Sequence, residues 1–427
     1  MQEHKAAPTR ALVLHPELTS DRDRRNAPDA LSEAVSLAGA LPDLDVVGGD
    51  IVRLPKPQPG LLFGSGKLDE LGSRIETEEV GLVLIDGPVT PVQQRNLERA
   101  WKTKILDRTG LILEIFADRA RTREGVLQVE LAALSYQRTR LVRSWTHLER
   151  QRGGLGFVGG PGETQIEADR RAIDDAMTRI RRQLSKVVKT RELHRAARRK
   201  VPFPIVALVG YTNAGKSTLF NRLTGADVLA KDMLFATLDP TMRSLELPDG
   251  TEIILSDTVG FISDLPTELV AAFRATLEEV LEAHLIVHVR DISHPETEAQ
   301  ARDVLAIMDR LGVAEETPVL EVWNKIDQLP APEEEAMITA ADRHEKVFAI
   351  SALNGTGFEA LTQGISAHLS EPRVAEDLHL AFAEGRARAW LFEQGLVEHE
   401  NLSETGYNLH VVWTARQKAA FEKAFPG

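Results

Sequence analysis

One stretch of eight residues constrains the fold of this chain more than any other feature. Gly210-Tyr-Thr-Asn-Ala-Gly-Lys-Ser217 has the spacing G-x-x-x-x-G-K-S, follows the apolar run Ile205–Val209 and precedes a helical pattern over Thr218–Leu223. A loop of this kind points backbone N–H groups and a helix N-terminus at a group with several negative charges. The order strand, glycine loop, helix therefore predicts a phosphate-binding loop in an α/β domain with a mainly parallel sheet.

The residue types in and after this loop indicate a nucleotide bound with Mg²⁺. Lys216 would reach the β- and γ-phosphates, and the Ser217 hydroxyl would ligate the metal. The motif Asp257-Thr-Val-Gly260 ends a second apolar strand. There, the carboxylate can hold Mg²⁺ through water and the Gly260 N–H can meet a γ-phosphate.

Two further motifs at strand ends predict which base is bound. Asn324-Lys-Ile-Asp327 ends with a carboxylate that can accept two hydrogens from guanine N1 and N2, which adenine cannot offer. The wrong base would leave that charged group unpaired, so the discrimination is strong. Ser351-Ala-Leu353 could direct a backbone N–H at guanine O6. Together the four motifs predict a site for GTP and GDP.

Charge is distributed unevenly along the 427 residues. The whole chain carries −13, yet the stretch from Arg138 to Lys200 holds 17 Lys and Arg against 7 Asp and Glu. The absence of cysteine excludes a disulfide framework, a thiolate zinc site and a cysteine nucleophile. The first residues lack the apolar core of a signal peptide, and no apolar run is long enough to span a bilayer. We therefore expect a cytoplasmic protein with no membrane partner.

The basic stretch has the pattern of two long helices. Residues that are apolar except for Arg138 recur at alternating spacings of four and three from Leu127 to Leu148, and apolar residues recur in the same way from Ile173 to Val187. The two series lie on either side of the glycine-rich Arg152–Gly162. This predicts an antiparallel helical hairpin. Charged helices are often only solvated faces, but the basic excess and the glycine-rich tip favour RNA contact through phosphates and shape. The candidate RNA-binding residues are Arg150, Arg152, Gly153, Gly154, Gly156, Gly159 and Gly160.

Composition and periodicity together divide the chain into four segments. Residues 1–122 alternate short strands with helices and predict an α/β subdomain, and residues 123–200 form the basic hairpin. Residues 201–371 contain the nucleotide motifs, and residues 372–427 predict a small α+β domain with a helix around Leu380–Glu393 and a hairpin turn near Glu404–Tyr407. Gly64-Ser-Gly-Lys67 fails the phosphate-loop pattern because Leu61 and Leu68 stand at its defining positions, so we interpret it as a plain turn.

Nearly the whole chain resembles the HflX family, within the translation-factor-related GTPases. The resemblance extends beyond the nucleotide motifs to Phe63-Gly-Ser-Gly-Lys67, Gly159-Gly-Pro-Gly-Glu-Thr-Gln165, Asp169-Arg-Arg171 and Leu234-Phe-Ala-Thr-Leu-Asp-Pro-Thr241. It implies a GTPase that binds the large (50S) ribosomal subunit and its rRNA, with the N-terminal region reaching toward the peptidyl-transferase centre. It also implies a role in splitting or rescuing stalled ribosomes, or in their biogenesis.

The resemblance also assigns the segment around Thr237 as switch I. Thr237 would ligate Mg²⁺ and sense the γ-phosphate, with Thr241 as the alternative. The predicted catalytic residues are then Lys216, Thr237 and Gly260, and the predicted metal ligands are Ser217, Thr237 and, through water, Asp257. The full set of predicted GTP-binding residues is Gly210, Tyr211, Thr212, Asn213, Ala214, Gly215, Lys216, Ser217, Phe235, Ala236, Thr237, Leu238, Asp239, Asp257, Thr258, Val259, Gly260, Asn324, Lys325, Ile326, Asp327, Ser351, Ala352 and Leu353.

Two residues bear on how fast such a site would hydrolyse GTP. Phe261 stands where Ras-like enzymes place a water-orienting glutamine, and a phenyl ring cannot orient water by hydrogen bonding. Asn213 resembles the K⁺-coordinating asparagine of some related GTPases, or it only caps the loop. We expect slow intrinsic hydrolysis that a partner accelerates, in a monomeric protein. The alternatives are a nucleotide-gated adaptor for protein partners and an accessory GTPase of RNA modification.

Overall fold

The computed structural model describes residues 7–20, 25–151, 161–198, 203–226, 234–235, 238, 241–263, 277–314, 316–369 and 373–425. The chain divides into two compact units, Met1–Ile365 and Ser366–Gly427. Among the residues described, no helix combines the length and the apolar character that a membrane crossing requires. The first unit contains the first two predicted segments and the third as far as Ile365, and each of these has its own secondary structure.

The N-terminal segment is a parallel four-stranded sheet with helices between its strands, in the order β2-β1-β3-β4. Its strands are β1 (Thr9–Leu18), β2 (Leu44–Leu54), β3 (Leu82–Ile85) and β4 (Lys104–Asp107). Its helices are α1 (Ala27–Ala38), α2 (Ser65–Thr77), α3 (Pro91–Trp101) and α4 (Arg108–Arg119). The apolar run Ala11–Leu14 is fully buried because both faces of β1 are covered.

Three N-terminal elements, β2, α2 and α4, were not predicted from the sequence. In β2, Gly48 and Gly49 interrupt the apolar pattern, although the strand pairs with β1 along its length. The interpretation of Gly64–Lys67 as a plain turn was wrong, because Gly64 is the N-cap of α2 and the helix begins at Ser65. Within that helix the Lys67 Nζ donates to Glu70 Oε1 at 2.6 Å.

The basic segment forms two long helices, α5 (Arg123–Gln151) and α6 (Pro161–Arg198). Arg138 Nε and Asp174 Oδ1 lie 2.6 Å apart, at equal sequence distances from the ends that the connection joins, so the helices run antiparallel. Met177 and Ile180 are buried, as the periodicity predicted. The residues from Arg152 to Gly160, which include six of the candidate RNA contacts, lie outside the described residues, as does the side chain of Arg150.

The nucleotide-motif segment is a six-stranded sheet in the order β10-β9-β8-β5-β7-β6. All neighbours are parallel except β6, which runs antiparallel to β7. The strands are β5 (Ile205–Gly210), β6 (Thr241–Glu246), β7 (Glu252–Asp257), β8 (Leu285–Asp291), β9 (Val319–Asn324) and β10 (Val347–Ala349). The helices are α7 (Lys216–Thr224), α8 (Glu278–Leu281), α9 (Thr297–Leu311), α10 (Ala331–Ala341) and α11 (Phe358–Leu369). The predicted α/β fold with a mainly parallel sheet is confirmed.

The C-terminal unit has an antiparallel sheet in the order β11-β13-β12. Its elements are β11 (Arg373–Ala381), α12 (Gly385–Glu393), β12 (Val397–Leu402), β13 (Gly406–Thr414) and α13 (Ala415–Ala424). The predicted helix around Leu380–Glu393 begins five residues late, at Gly385. Leu380 instead pairs with Tyr407 across the sheet and packs into the core, so the tertiary contact overrides the helical pattern. The predicted hairpin turn is confirmed between β12 and β13.

Candidate nucleotide-binding site

The four nucleotide motifs meet at one edge of the six-stranded sheet. Parallel strands place their carboxyl ends at the same edge, which is where ligands bind in such sheets. The Thr212 N–H donates to the Phe261 carbonyl at 2.7 Å, which joins the loop after β5 to the residues after β7. The Asn324 side chain at the end of β9 donates to the Ala214 carbonyl at 2.8 Å. The sheet therefore brings together motifs that are far apart in sequence.

The loop after β5 depends on residues that accept a left-handed backbone. Gly215 has φ +93°, and a Cβ there would lie 2.2 Å from Asn324 Nδ2. Asn213 also adopts a left-handed conformation, with φ 60°, which asparagine tolerates better than most residues. Gly215 thus lets the loop pack directly on the base-recognition motif.

Lys216 is buried, with its ammonium group held by its own loop. The Nζ atom donates to the Gly210 carbonyl at 3.1 Å and to the Tyr211 carbonyl at 2.8 Å. Burial lowers the pKa of Lys216 to about 8, and the nearby carboxylate of Asp257 only partly opposes this. Both carbonyls aim the ammonium group, and an anionic phosphate would supply the charge that stabilises it.

The residues predicted to hold Mg²⁺ have the chemistry that this ion requires. Ser217 Oγ donates to Asp257 Oδ2 at 2.7 Å, so a hydroxyl and a carboxylate converge, and both are hard oxygen ligands. Thr237, the third predicted ligand, lies outside the described residues together with Ala236 and Asp239. Its alternative, Thr241, begins β6 and pairs in register with Asp257.

Gly260 packs closely against the loop after β5. A Cβ at Gly260 would lie 2.9 Å from Thr212 Cα and 3.0 Å from Lys216 Nζ, so no side chain fits there. The Thr212 hydroxyl is buried and has no hydrogen-bond partner among the described residues. Because Gly260 has no side chain, its backbone can approach the Lys216 ammonium group, which is the group predicted to bind the γ-phosphate.

The base end of the site is organised by Asn324. Its Nδ2 donates to Ala214, and its Oδ1 accepts from the Ala352 N–H at 2.9 Å. Lys325 has φ 67° and its Nζ lies 2.7 Å from Asp291 Oδ2. Asp327 is half-buried, and its carboxylate forms no hydrogen bond or ion pair within the described part of the chain. That carboxylate is therefore available to a base.

Other predicted binding residues serve different purposes. The Thr258 hydroxyl donates to the Leu208 carbonyl at 2.6 Å, and Val259 is buried, so both side chains hold the sheet edge. Ser351 and Ala352 are buried and Ile326 packs in the interior, whereas Leu353 is 70% exposed. The Phe235 and Leu238 side chains are also buried, in the apolar core rather than against the nucleotide position.

Some residues beside the site carry no sequence signal. A cleft of about 700 Å³ lies between the loop residues 211–213 and helix α1, which contributes Asp29, Ser32 and Glu33. Arg222 of α7 donates to the Leu353 carbonyl at 2.5 Å and to the Asn354 carbonyl at 2.8 Å, which supports the loop after β10. No spacing rule relates α1 to a loop nearly 180 residues later, so only the structure reveals this neighbour.

Comparison with family models divides the chain in the same order. Residues 28–117 match a model described as GTP-binding GTPase N-terminal, and residues 119–198 match GTP-binding GTPase middle region. Residues 205–325 match a model described as 50S ribosome-binding GTPase. Matches thus cover the N-terminal sheet except β1, the helical hairpin and most of the nucleotide-motif sheet.

Similar proteins cover nearly the full length of the chain. A protein named GTPase HflX from Magnetococcus marinus is 49% identical, over 92% of this chain and 88% of its own. GTPase HflX from Escherichia coli is 43% identical, over 93% and 91%. A solved GTP-binding protein from Sulfolobus solfataricus in complex with GDP is 24% identical, with a TM-score of 0.45, over 84% of this chain and 98% of that one.

Proposed function

This chain belongs to the HflX family of GTPases, and we propose that it hydrolyses GTP on the large ribosomal subunit, with the helical hairpin as its contact to rRNA. Hydrolysis of GTP to GDP and phosphate is the activity of the family. The ribosomal partner, the use of the hairpin and a role in splitting or rescuing ribosomes are the parts that we add.

The observation that carries this proposal is the outer face of α6. Met177 and Ile180 are buried, while the basic residues between and around them are exposed: Arg170, Arg171, Arg179, Arg181, Arg182 and Lys186. RNA is bound largely through its phosphates, so exposed cations on a long helix suit it. The description of the family model over residues 205–325 as a 50S ribosome-binding GTPase supports the same partner.

The site suits in-line attack of water on the γ-phosphate. Lys216 and the N–H of Gly260 would stabilise the charge that develops on the transferred phosphoryl group. Mg²⁺, held by the Ser217 hydroxyl, by Thr237 and through water by Asp257, would neutralise charge on the β- and γ-phosphates. Asn213 either adds K⁺ to this set or only shapes the loop.

Intrinsic hydrolysis should be slow because the side chain after Gly260 cannot orient the attacking water by hydrogen bonding. The Phe261 ring is 1% exposed and lies in the apolar core. Its carbonyl is already used by the Thr212 N–H. A partner must therefore supply or position the group that orients the attacking water.

The test is GTP turnover by the purified chain alone and with 50S, 30S or 70S particles. We expect stimulation by 50S, and an R181E/R182E variant should lose most of it while keeping its intrinsic rate. The control variant is R343E, which reverses the charge of an exposed arginine in the nucleotide-motif segment. Equal turnover with and without every particle would refute the ribosomal role.

Cosedimentation distinguishes the adaptor alternative. Binding to 50S that prefers a GTP analogue over GDP and weakens steeply with salt supports the proposal. A chain that cosediments with proteins but with no ribosomal particle, in either nucleotide form, supports the adaptor.

Two further measurements test the remaining parts of the proposal. Light scattering of 70S particles tests whether the chain splits ribosomes. Equal GTP turnover in K⁺ and in Na⁺ would rule out a potassium-binding role for Asn213.

A further inference from the structure

A buried polar cluster connects the N-terminal sheet to the nucleotide site. We call it the Arg108 cluster, and its members are Arg108, Glu33, Asp86, Tyr211 and Ser263. The Arg108 guanidinium, 6% exposed, donates to Asp86 Oδ1 at 2.6 Å, to Glu33 Oε1 at 2.5 Å and to the Ser263 carbonyl at 3.1 Å. One buried arginine thus joins two carboxylates of the N-terminal segment to a backbone carbonyl beside the GTP site.

Arg108, together with Arg25 and His15, keeps both carboxylates ionised. Burial opposes the charge on Glu33, but the charge of Arg108 and the hydrogen bonds from Arg25 hold the pKa of Glu33 below its usual range. Burial likewise opposes the charge on Asp86, but the hydrogen bond from His15 and the charge of Arg108 keep its pKa low. The cluster is a fully charged network, which is costly to take apart.

Tyr211 connects the cluster to both halves of the phosphate site. Its hydroxyl lies 2.5 Å from Glu33 Oε2 and 2.7 Å from Ser263 Oγ, and accepts from the Ser263 N–H at 2.9 Å. Tyr211 follows the first glycine of the phosphate loop, and Ser263 is the third residue after Gly260. Ser263 Oγ also donates to Asp303 Oδ2 at 2.6 Å. The position of Ser263 therefore depends on Arg108 of the N-terminal segment as well as on Tyr211 and Asp303 of the nucleotide-motif segment.

Helix α4, which begins at Arg108, also touches the other nucleotide-sensing segment. The Phe116 and Phe235 rings meet edge to face with centroids 4.6 Å apart. Phe235, Phe261 and the α4 residues Ile112 and Ile115 belong to one continuous apolar core. The residues that flank Thr237 and those that follow Gly260 thus rest on the same helix.

The residue before Arg108 reaches the helical hairpin. Asp107 accepts from the Tyr136 hydroxyl at 2.6 Å and from Arg140 Nη1 at 2.8 Å, both on α5, and from the Gly110 N–H, which caps α4. The pair Asp107-Arg108 therefore bonds to the hairpin with its first side chain and to the nucleotide site with its second.

We propose that Arg108 is a positioning residue for GTP hydrolysis: through Ser263 it restrains the residues after Gly260 in their resting position, and Asp107 makes this restraint respond to the hairpin. The second half rests on the proposed function, in which the hairpin binds rRNA. Movement of α5 against Asp107 would shift the start of α4 and release Ser263. Hydrolysis then accelerates because the residues after Gly260 can rearrange around the attacking water.

Hydrolysis by the pure protein tests the first half. We expect Arg108→Met and Tyr211→Phe to raise the intrinsic kcat roughly three- to tenfold, because each removes hydrogen bonds that stabilise the resting position. The KM for GTP and the affinity for GDP should stay at wild-type values, which general structural damage would not allow. Arg108→Lys should restore part of the restraint. Tyr211→Phe loses only a hydroxyl, so it keeps the test available if Arg108→Met does not fold.

Arg74→Met is the matched control, because Arg74 also joins two carboxylates, Asp50 and Glu78, but in a part of the N-terminal sheet away from the site. Its kcat should equal that of the wild type. An unchanged or lower intrinsic kcat in both folded Arg108→Met and Tyr211→Phe would overturn the restraint.

Stimulated hydrolysis tests the second half. Tyr136→Phe removes one bond from α5 to Asp107 and should leave intrinsic kcat unchanged while reducing the stimulation by 50S severalfold, with wild-type binding to 50S. Full stimulation of this variant would refute the coupling through Asp107. If 50S fails to stimulate even the wild type, the proposed function fails, whereas the intrinsic rates of the Arg108 and Tyr211 variants still decide the restraint.

Discussion

The base end and the phosphate end of the site are prepared for their ligands in different ways. At the base end Asn324 already bonds to Ala214 and Ala352, and the Asp327 carboxylate has no partner within the described residues. At the phosphate end Ser217 and Asp257 bond to each other, and Lys216 bonds to its own loop. Base recognition is therefore preorganised, whereas metal and phosphate binding must replace existing contacts.

Because of this difference, the base end determines the affinity for guanine nucleotides, whereas the phosphate end distinguishes GTP from GDP. A preorganised base end binds GTP and GDP equally, because both carry guanine. Only the phosphate end senses the γ-phosphate, and it is the phosphate end that contacts the N-terminal segment through Tyr211. Substitutions at the base end should therefore change nucleotide affinity alone, and those at the phosphate end should change hydrolysis.

The largest effect is expected at Asp327, with Asp327→Asn. Two hydrogen bonds to a charged group, at about 1.5–3 kcal/mol each, correspond to roughly a 10²–10⁴-fold loss of affinity for GTP and GDP. An amide can donate to the oxygen of xanthine, so xanthosine triphosphate should bind better than GTP. Competition binding measures both, with the exposed Asp309→Asn as control. An unchanged preference for guanine would show that the Asp327 carboxylate does not recognise the base.

Lys216→Ala changes the phosphate end of the site and should therefore affect hydrolysis. Loss of its charge at the developing transition state should reduce kcat by about 10²–10³-fold. The free energy of unfolding without nucleotide should not fall, because burial already disfavours the ammonium group and lowers its pKa to about 8. Single-turnover hydrolysis and chemical denaturation test the two claims. A clear loss of stability would indicate that Lys216 mainly holds the loop.

Asn324→Ala breaks the contacts that organise the base end. It leaves the Ala214 carbonyl and the Ala352 N–H without their partner, which costs about 1–3 kcal/mol. Affinities for GTP and GDP should fall by the same factor, and kcat at saturating GTP should persist. Asn324→Asp is the companion variant. It keeps an acceptor for Ala352 but sets a buried carboxylate against the Ala214 carbonyl, so it should lose at least as much affinity as Asn324→Ala. If the affinity for GTP fell by a different factor than the affinity for GDP, the base end would also sense the γ-phosphate, which would contradict the proposed division between the two ends.

Arg222→Ala should have the smallest effect. Arg222 is exposed, and its bonds to Leu353 and Asn354 only support the loop after β10. Loss of such partly solvated bonds costs about 0.5–1.5 kcal/mol, so guanine affinity should fall no more than about tenfold. Arg222→Lys should recover part of it. Isothermal calorimetry with GDP measures the change, and a larger loss than for Asn324→Ala would reverse the order proposed here.

Much of the fold was predictable because local patterns determine its elements. The loop from Gly210 to Ser217 needs a strand before it and a helix after it, and both are present as β5 and α7. Strand β6 was missed because it is an edge strand with polar residues, and β2 because glycines interrupt it. The C-terminal helix was placed too early because a strand residue, Leu380, fits the helical period as well.

The amino-acid sequence alone determined which chemical groups the nucleotide site contains, since loop, carboxylate and amide motifs follow from short spacings along the chain. The tertiary structure alone decided what holds those groups in place. Asp107 and Arg108 look like ordinary charged residues at a strand end, and Glu33 like a solvated helix position. They become neighbours of Tyr211 and Ser263 only when separate layers pack together, because a contact between distant segments leaves no periodicity in either one.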